Sequence, residues 1–295
     1  MKKLFILFSM LLACLPLCAQ RVTVVSDECP LAGRDVAGYF PQLSPDGNLL
    51  LYSPTEATSL TLLNLKTGDE KIIASEGVPG FDARFGRDGN VYYVTMHPQP
   101  GNLIYRAGRC YDPAKEKTDE VLAPQHGQVL AIPTGKSAAM VGEKESFNFD
   151  KGTVAFTHGS YLYVVKNGKV KRLQPVKDSV GYLWAQVSPK GDKVVFKAVA
   201  KVLYVVDLDG NILSRMGYYM MPSWLDNDYL VAMNGTDGVQ KRLGQQIYLL
   251  RADGTFEYPL TDPELSAVQP MAAAGKVVFT TGKGEVHIMK IEIDN

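Results

Sequence analysis

The chain carries no surplus of charge: Lys and Arg total 31 and Asp and Glu total 31 across 295 residues. Nucleic acid is therefore not expected as a partner, because phosphate binding depends on clustered cations that displace counterions. The densest basic cluster, Lys166 to Arg172, has the spacing of a hairpin around Asn167-Gly168. Histidine is scarce, and His97, His126, His158 and His287 show neither H-x-x-x-H nor C-x-x-C spacing with the cysteines, so no metal and no other cofactor is expected. The G-x-S-x-G elbow of serine hydrolases is missing, and no stretch reads as a convincing amphipathic helix. The S-x-D-x-G-x-T-W turns of sialidase-type propellers are missing too. Past the first twenty residues no apolar run approaches the ~20 needed to span a bilayer, so no transmembrane helix is expected in the mature part.

The opening segment, MKKLFILFSMLLACLPLCAQ, has a positive start at Lys2 and Lys3, an apolar run from Leu4 to Ala13, and a small residue at Ala19. It reads as a signal peptide over residues 1–19, leaving 20–295 as a single exported domain, periplasmic or extracellular. Leaders ending in Ala-Gln are similar to those of the Bacteroidetes. An alternative is a lipobox at Leu11-Leu12-Ala13-Cys14, which would acylate Cys14 and tether the protein. Cys14 sits early for that role and leaves a second apolar stretch behind it, so soluble release is favoured. Cys14 and Cys18 lie in the leader. Cys29 and Cys110 remain, and the blade assignment below puts them on opposite faces, too far apart for the about 7 Å Cα separation a disulfide needs.

Internal repetition decides the fold class. FPQLSPDGNLLLYS, Phe40 to Ser53, holds Ser44-Pro45-Asp46-Gly47, a type I turn with Ser first, Pro presetting φ and Gly last. LTLLNLKTGDEKIIA adds two more strands around Lys66-Thr67-Gly68. The four-stranded unit returns in WAQVSPKGDKVVFK, whose turn is Ser188-Pro189-Lys190-Gly191, followed by LYVVDLDGNILS. Weaker copies begin at Ala83, Phe147, Pro222 and Met271. The sixth ends one strand short, and RVTVVSDE (Arg21 to Glu28) stands alone before the first. An N-terminal strand that completes the last blade would close the ring and remove an exposed edge. The expectation is an all-β, six-bladed β-propeller. Gly89 to Gly152 is 63 residues where Gly47 to Gly89 is 42. The excess falls between Gly108 and Phe147, as a loop on the binding face or as longer outer strands with a decorated connection.

At SPDG, SPKG and the strands that follow, the chain resembles the propeller of TolB and its periplasmic relatives, without TolB's separate N-terminal domain. The resemblance spans the whole mature chain, strongest in blades one and four. It implies a protein-binding platform and carries over no catalytic residue, since Pro45, Asp46 and Gly47 shape a turn.

In a propeller whose strands run A to D from the axis outward, D–A and B–C connections share one face. Here that face carries Arg34, Tyr39, Met96, His97, His158, Tyr182, Tyr218 and Tyr219, and a long loop from Asn234 to Gln246 with Lys241 and Arg242 at its tip. Aromatic and Arg side chains of this kind favour interface centres, although several of the tyrosines are equally suited to the core between blades. Asp35, Glu56, Asp82 and Glu145 approach the same face, and glycoside hydrolysis needs two carboxylates about 5 to 10 Å apart. The leading expectation is a monomeric, non-catalytic scaffold for an envelope protein or peptide. The alternative is a carbohydrate-active propeller that binds or cleaves polysaccharide.

Overall fold

The computed structural model describes residues 20–54, 57–80, 83–127, 129–133, 138–141, 152–235 and 244–294. Strands β1 (Arg21–Glu28) to β25 (Val286–Asp294) fall into small antiparallel sheets arranged as the six blades of a propeller. Blade one is β2 (Tyr39–Leu43), β3 (Leu49–Ser53), β4 (Leu60–Asn64) and β5 (Glu70–Ala74). Blade two is β6 (Arg84–Phe85), β7 (Val91–Gln99), β8 (Leu103–Asp112) and β9 (Lys117–His126), followed by a small hairpin of β10 (Leu130–Pro133) and β11 (Ala138–Val141). Blade three shows β12 (Thr153–His158), β13 (Tyr161–Lys166) and β14 (Lys169–Leu173); the inner strand expected from Phe147 lies outside the described residues. Blade four is β15 (Tyr182–Val187), β16 (Lys193–Ala198), β17 (Leu203–Asp207) and β18 (Ile212–Arg215). Blade five is β19 (Tyr219–Trp224), β20 (Tyr229–Asn234), β21 (Ile247–Arg251) and β22 (Glu257–Pro259). Blade six is β23 (Val268–Ala273), β24 (Lys276–Thr280), β25 and, outermost, β1.

The sixth blade closes as the sequence implied. β1 pairs antiparallel with β25 from Arg21↔Asp294 to Glu28↔Ile288, interrupted by one bulge between Val24 and Ser26.

The middle strands are continuous apolar runs because each is buried on both sides. Along β16, Val194 and Phe196 pack against blade three while Val195 packs against blade five. β20 divides the same way, with Val231 and Met233 toward blade six and Leu230 and Ala232 toward blade four. In β3, Leu50 and Tyr52 face blade six and Leu51 faces blade two. The two-residue period of a strand thus feeds two neighbouring cores at once, and each fully buried Leu, Val or Phe contributes roughly 1.5–3 kcal/mol. The outer strands are exposed and charged, as in β5 (EKIIA) and β14 (KVKRL), which blunts the edges.

Turn chemistry fixes the hairpins. Ser44 Oγ donates to Asp46 Oδ1 at 2.5 Å and accepts from Leu49 N at 2.9 Å, while Gly47 N donates to Ser44 O at 2.8 Å. Gly47 sits at φ +71°, the left-handed region that an L side chain enters only with strain. In the second copy Lys190 occupies the position of Asp46, and Asp192 takes over by accepting from Ser188 Oγ at 2.7 Å. Both turn serines are buried.

The excess after Gly108 is distributed. β8 and β9 are ten residues each, and β10 of the small hairpin lies against β6, β7 and β12. YDPAKEKTDE is therefore the β8–β9 turn with its flanks. Cys110 lies inside β8, opposite Tyr92 and Asp119, rather than after the strand as its sequence position suggested. Both Cys29 and Cys110 are free thiols.

Candidate binding face

The register of blade one identifies the ends of the propeller. Tyr39 opposes Ser53 where strand B ends, and Leu43 opposes Leu50 beside the SPDG turn. The first end carries the D–A and B–C connections.

On that end the innermost strands share a feature that residue types did not announce. Phe40, Trp184, Met221 and Gln269 adopt left-handed backbone, with φ of 51°, 54°, 51° and 55°. Each sits at a bulge near the start of the inner strand of its blade: one, four, five and six respectively. All four are half-buried. Non-glycine residues held in this region cost on the order of 1–3 kcal/mol each and persist only where surroundings enforce them. Here the surroundings are hydrogen bonds between neighbouring inner strands. Phe40 N donates to Gln269 Oε1 at 2.7 Å, Ala272 N to Ser223 Oγ at 3.0 Å, and Trp224 Nε1 to Gln186 O at 3.1 Å. Gln42 Nε2 donates to Ala83 O. The inner strands are thus stitched from blade four through five and six to one, and on to the entry of blade two.

The residues expected on this face separate into two groups. Tyr182 is core: it is buried, its hydroxyl exchanges hydrogen bonds with the backbone of Val176 at 3.2 Å, and its ring meets Phe196 edge-on. Tyr219 is core as well, donating to Glu257 Oε2 at 2.7 Å; burial and that carboxylate push its hydroxyl far up. Arg34 is a strut. The segment after β1 dips between blades six and one with Leu31 in their core, and Arg34 reaches Glu70 Oε2 at 2.6 Å and Gly68 O at 3.2 Å, beside the opposite-end turn of blade one. Tyr182 and Tyr219 are thus enclosed in the fold, whereas Arg34 is exposed and tied to Glu70 and Gly68.

His97, His158 and Tyr218 remain accessible. His97 lies within β7 rather than in a connection, because β7 and β8 extend as a long hairpin pairing His97 with Tyr105. Its Nε2 is 2.9 Å from Thr95 Oγ1. The hairpin is clamped where Met96 N donates to Gly77 O at 2.8 Å, and Gly77 is required there, since a Cβ would fall 2.9 Å from the Met96 backbone. His158 ends β12, opposite Tyr161 and edge-on to Tyr163. Among the described residues no group of three or more His, Cys, Asp and Glu is placed to hold a metal ion. Lys241 and Arg242 lie outside the described residues, as do Glu56, Asp82 and Glu145.

Tyr218 is the exposed aromatic of this face, 37% accessible, and it is rigidly mounted. Its carbonyl accepts from Gly235 N at 2.7 Å, and a Cβ on Gly235 would collide with its ring. Beneath the ring is Lys197, a residue the sequence did not single out. Lys197 is buried on β16, its ammonium donates to Lys201 O at 2.6 Å, and it stands 3.6 Å from the Tyr218 centroid. A cation over a ring face is held by the ring quadrupole. Burial without a neutralising carboxylate pulls the amine down to about 8. Its strand, KVVFK, reads as an ordinary half-polar strand, and its burial depends on a ring from the connection to the next blade.

No family model and no curated protein sequence matches the chain. Solved structures do. An oligogalacturonate lyase from Vibrio parahaemolyticus superposes with a TM-score of 0.50 at 13% identity, covering 86% of this chain and 78% of its own. TolB from Acinetobacter baumannii gives 0.50 at 17% identity, covering 76% of this chain and 54% of its own. A chain of the mitotic checkpoint complex gives 0.59 at 8% identity over 98% of both. Identity this low shows the shared propeller fold. Among the described residues no helix is long and apolar enough to cross a membrane.

Proposed function

We propose that the protein is an exported, monomeric, non-catalytic propeller that binds an envelope protein or peptide at the channel mouth of blades four and five. The observation that carries this reading is the Tyr218 ring, exposed yet fixed between Gly235 and the buried Lys197, next to the left-handed bulges at Trp184 and Met221. An aromatic already immobilised loses little entropy on binding, which is how interface anchors gain their affinity. The TolB neighbours support a protein partner by fold alone.

The lyase neighbours, one of them described in complex with manganese, motivate a second reading in which the ligand is a polysaccharide. The same aromatics could stack on sugar rings. Peptide and glycan arrays probed with wild type and Tyr218→Ala distinguish the two. Peptide binding weakened at least about tenfold by the substitution supports the first reading. Glycan-only binding supports the second, and turnover of any polysaccharide by the purified protein overturns the non-catalytic assignment.

A further inference from the structure

The apolar rim around Tyr218 encloses a charge that the fold leaves uncompensated. Lys197 follows Val195 at the two-residue period of β16, so its side chain points to the blade-five side of the sheet. In the ladder it stands opposite Leu183 on β15 and Leu203 on β17, and directly opposed residues share a face. Leu203 is buried and Leu183 is exposed. Tyr218 meets the same side from the connection into blade five, its ring 3.6 Å from the ammonium. Val180, 75% exposed, is tied to the same end of β16, where Val199 N donates to Gly181 O at 3.0 Å. One end of the ladder thus gathers three exposed apolar side chains, Val180, Leu183 and Tyr218, around a single buried ammonium. Among the described residues that ammonium has no carboxylate partner, and its hydrogen bond goes to the Lys201 carbonyl. The connection holding Val180 also carries Lys177 and Asp178, one charge of each sign, both exposed to solvent.

We infer that this rim receives the free C-terminal carboxylate of a peptide together with the apolar side chain of its last residue. The inference rests on the peptide-binding reading above and names the part of the peptide that is read. An aromatic ring has a negative face and a positive edge. In Tyr218 the face is taken by Lys197, so the edge of this exposed ring is where an anion is favoured. The ammonium beneath is withdrawn from water and is little screened by salt. A buried charge without a partner is costly, and a ligand that brings the opposite charge offsets that cost. One cation suits one carboxylate rather than a polyanion. A C-terminal residue carries its carboxylate and its side chain on one Cα, so both reach a patch where an ammonium and apolar groups occupy neighbouring positions. An internal Asp or Glu holds its charge on a stem and must borrow the apolar contact from another residue.

The test uses the full chain and two arrays of the same random peptides, one anchored through the N-terminus with a free carboxylate and one anchored through the C-terminus. The tightest binder is then measured in solution as the acid and as the C-terminal amide. Binders should come from the free-carboxylate array with Leu, Ile or Phe last, and amidation should weaken them about tenfold or more. Leu183→Asp, at an exposed position, places a carboxylate of the fold opposite Lys197 and should bring the acid down to the level of the amide. Leu183→Asn should keep the difference, and Lys197→Met should abolish it. Equal affinity of wild type for acid and amide overturns the inference while leaving the peptide reading in place. So do binders that need an internal Asp or Glu and tolerate amidation, and so does an acid preference that survives both Leu183→Asp and Lys197→Met. If neither array binds, or only glycans bind, the peptide reading falls and this inference falls with it.

Discussion

The Lys197 ammonium and the Tyr218 ring, 3.6 Å apart, join strand B of blade four to the connection that enters blade five. The amine is held at about 8, below its ordinary value near 10.4, so the folded state binds its proton more weakly than the unfolded chain does. The stability lost to burying this charge is therefore fully lost below about pH 8 and recovered as pH rises toward the unfolded value. Between pH 8 and 9.5 wild type should gain on the order of 1 kcal/mol relative to Lys197→Met. Buried tyrosines such as Tyr219, held high in the fold, act in the opposite sense above about pH 10, which is why the comparison uses the difference between the two proteins. Urea unfolding at several pH values reads it, and parallel curves would refute the assignment.

Gly235→Ala should disturb both ligand capture and stability. The new Cβ meets both the Tyr218 ring and, at 2.8 Å, the Tyr218 backbone carbonyl, so the ring must leave Lys197 and the Gly235 N to Tyr218 O hydrogen bond must shift. Array binding should fall toward the level of Tyr218→Ala, and the melting temperature should drop by several degrees.

Ser44→Ala and Ser188→Ala should each cost about 1–3 kcal/mol, because each removes a buried hydroxyl that closes an inner hairpin. The Ser44 hydroxyl is the chief cause of the lowered Asp46 carboxyl. Its contribution is present above the ordinary carboxylate value of about 3.9 and fades as pH falls through the folded value. The deficit of Ser44→Ala should accordingly shrink in acid, as denaturant titrations at pH 3 and pH 6 would show.

A chain beginning at Pro30 should unfold at lower temperature and with less cooperativity, and should self-associate. Its missing strand exposes the β25 edge from Ile288 to Asp294. Thermal melts with light scattering check both effects, and an unchanged melt would mean that closure contributes little.

Blade count, the split sixth blade and the hairpin turns were legible because they rest on local chemistry: SPDG, SPKG and alternating apolar strands. The site was legible only in part. Tyr218 was visible as an aromatic before strand A, but nothing local separates it from its neighbour Tyr219, whose ring turns inward to Glu257. Arg34 reads as a loop cation and becomes a strut only because Leu31 draws its segment into the core. Spacing rules for His and Cys search along the chain. They pass over Cys29 and His287, which meet across the closing ladder. Left-handed Phe40, Trp184, Met221 and Gln269 share no residue type, so the bulge pattern is a property of the ring and not of the residue.

The pairing of β1 with β25 also orders events in time. β1 precedes and β25 follows every other described strand, so their contact joins the most distant segments of the propeller and is the slowest kind to find. Until then Val22 and Val24 have no ladder to join, and the nascent protein presents a free strand at one end and an open edge at the other. Closure is also the moment at which Cys29 and Asp27 first meet His287.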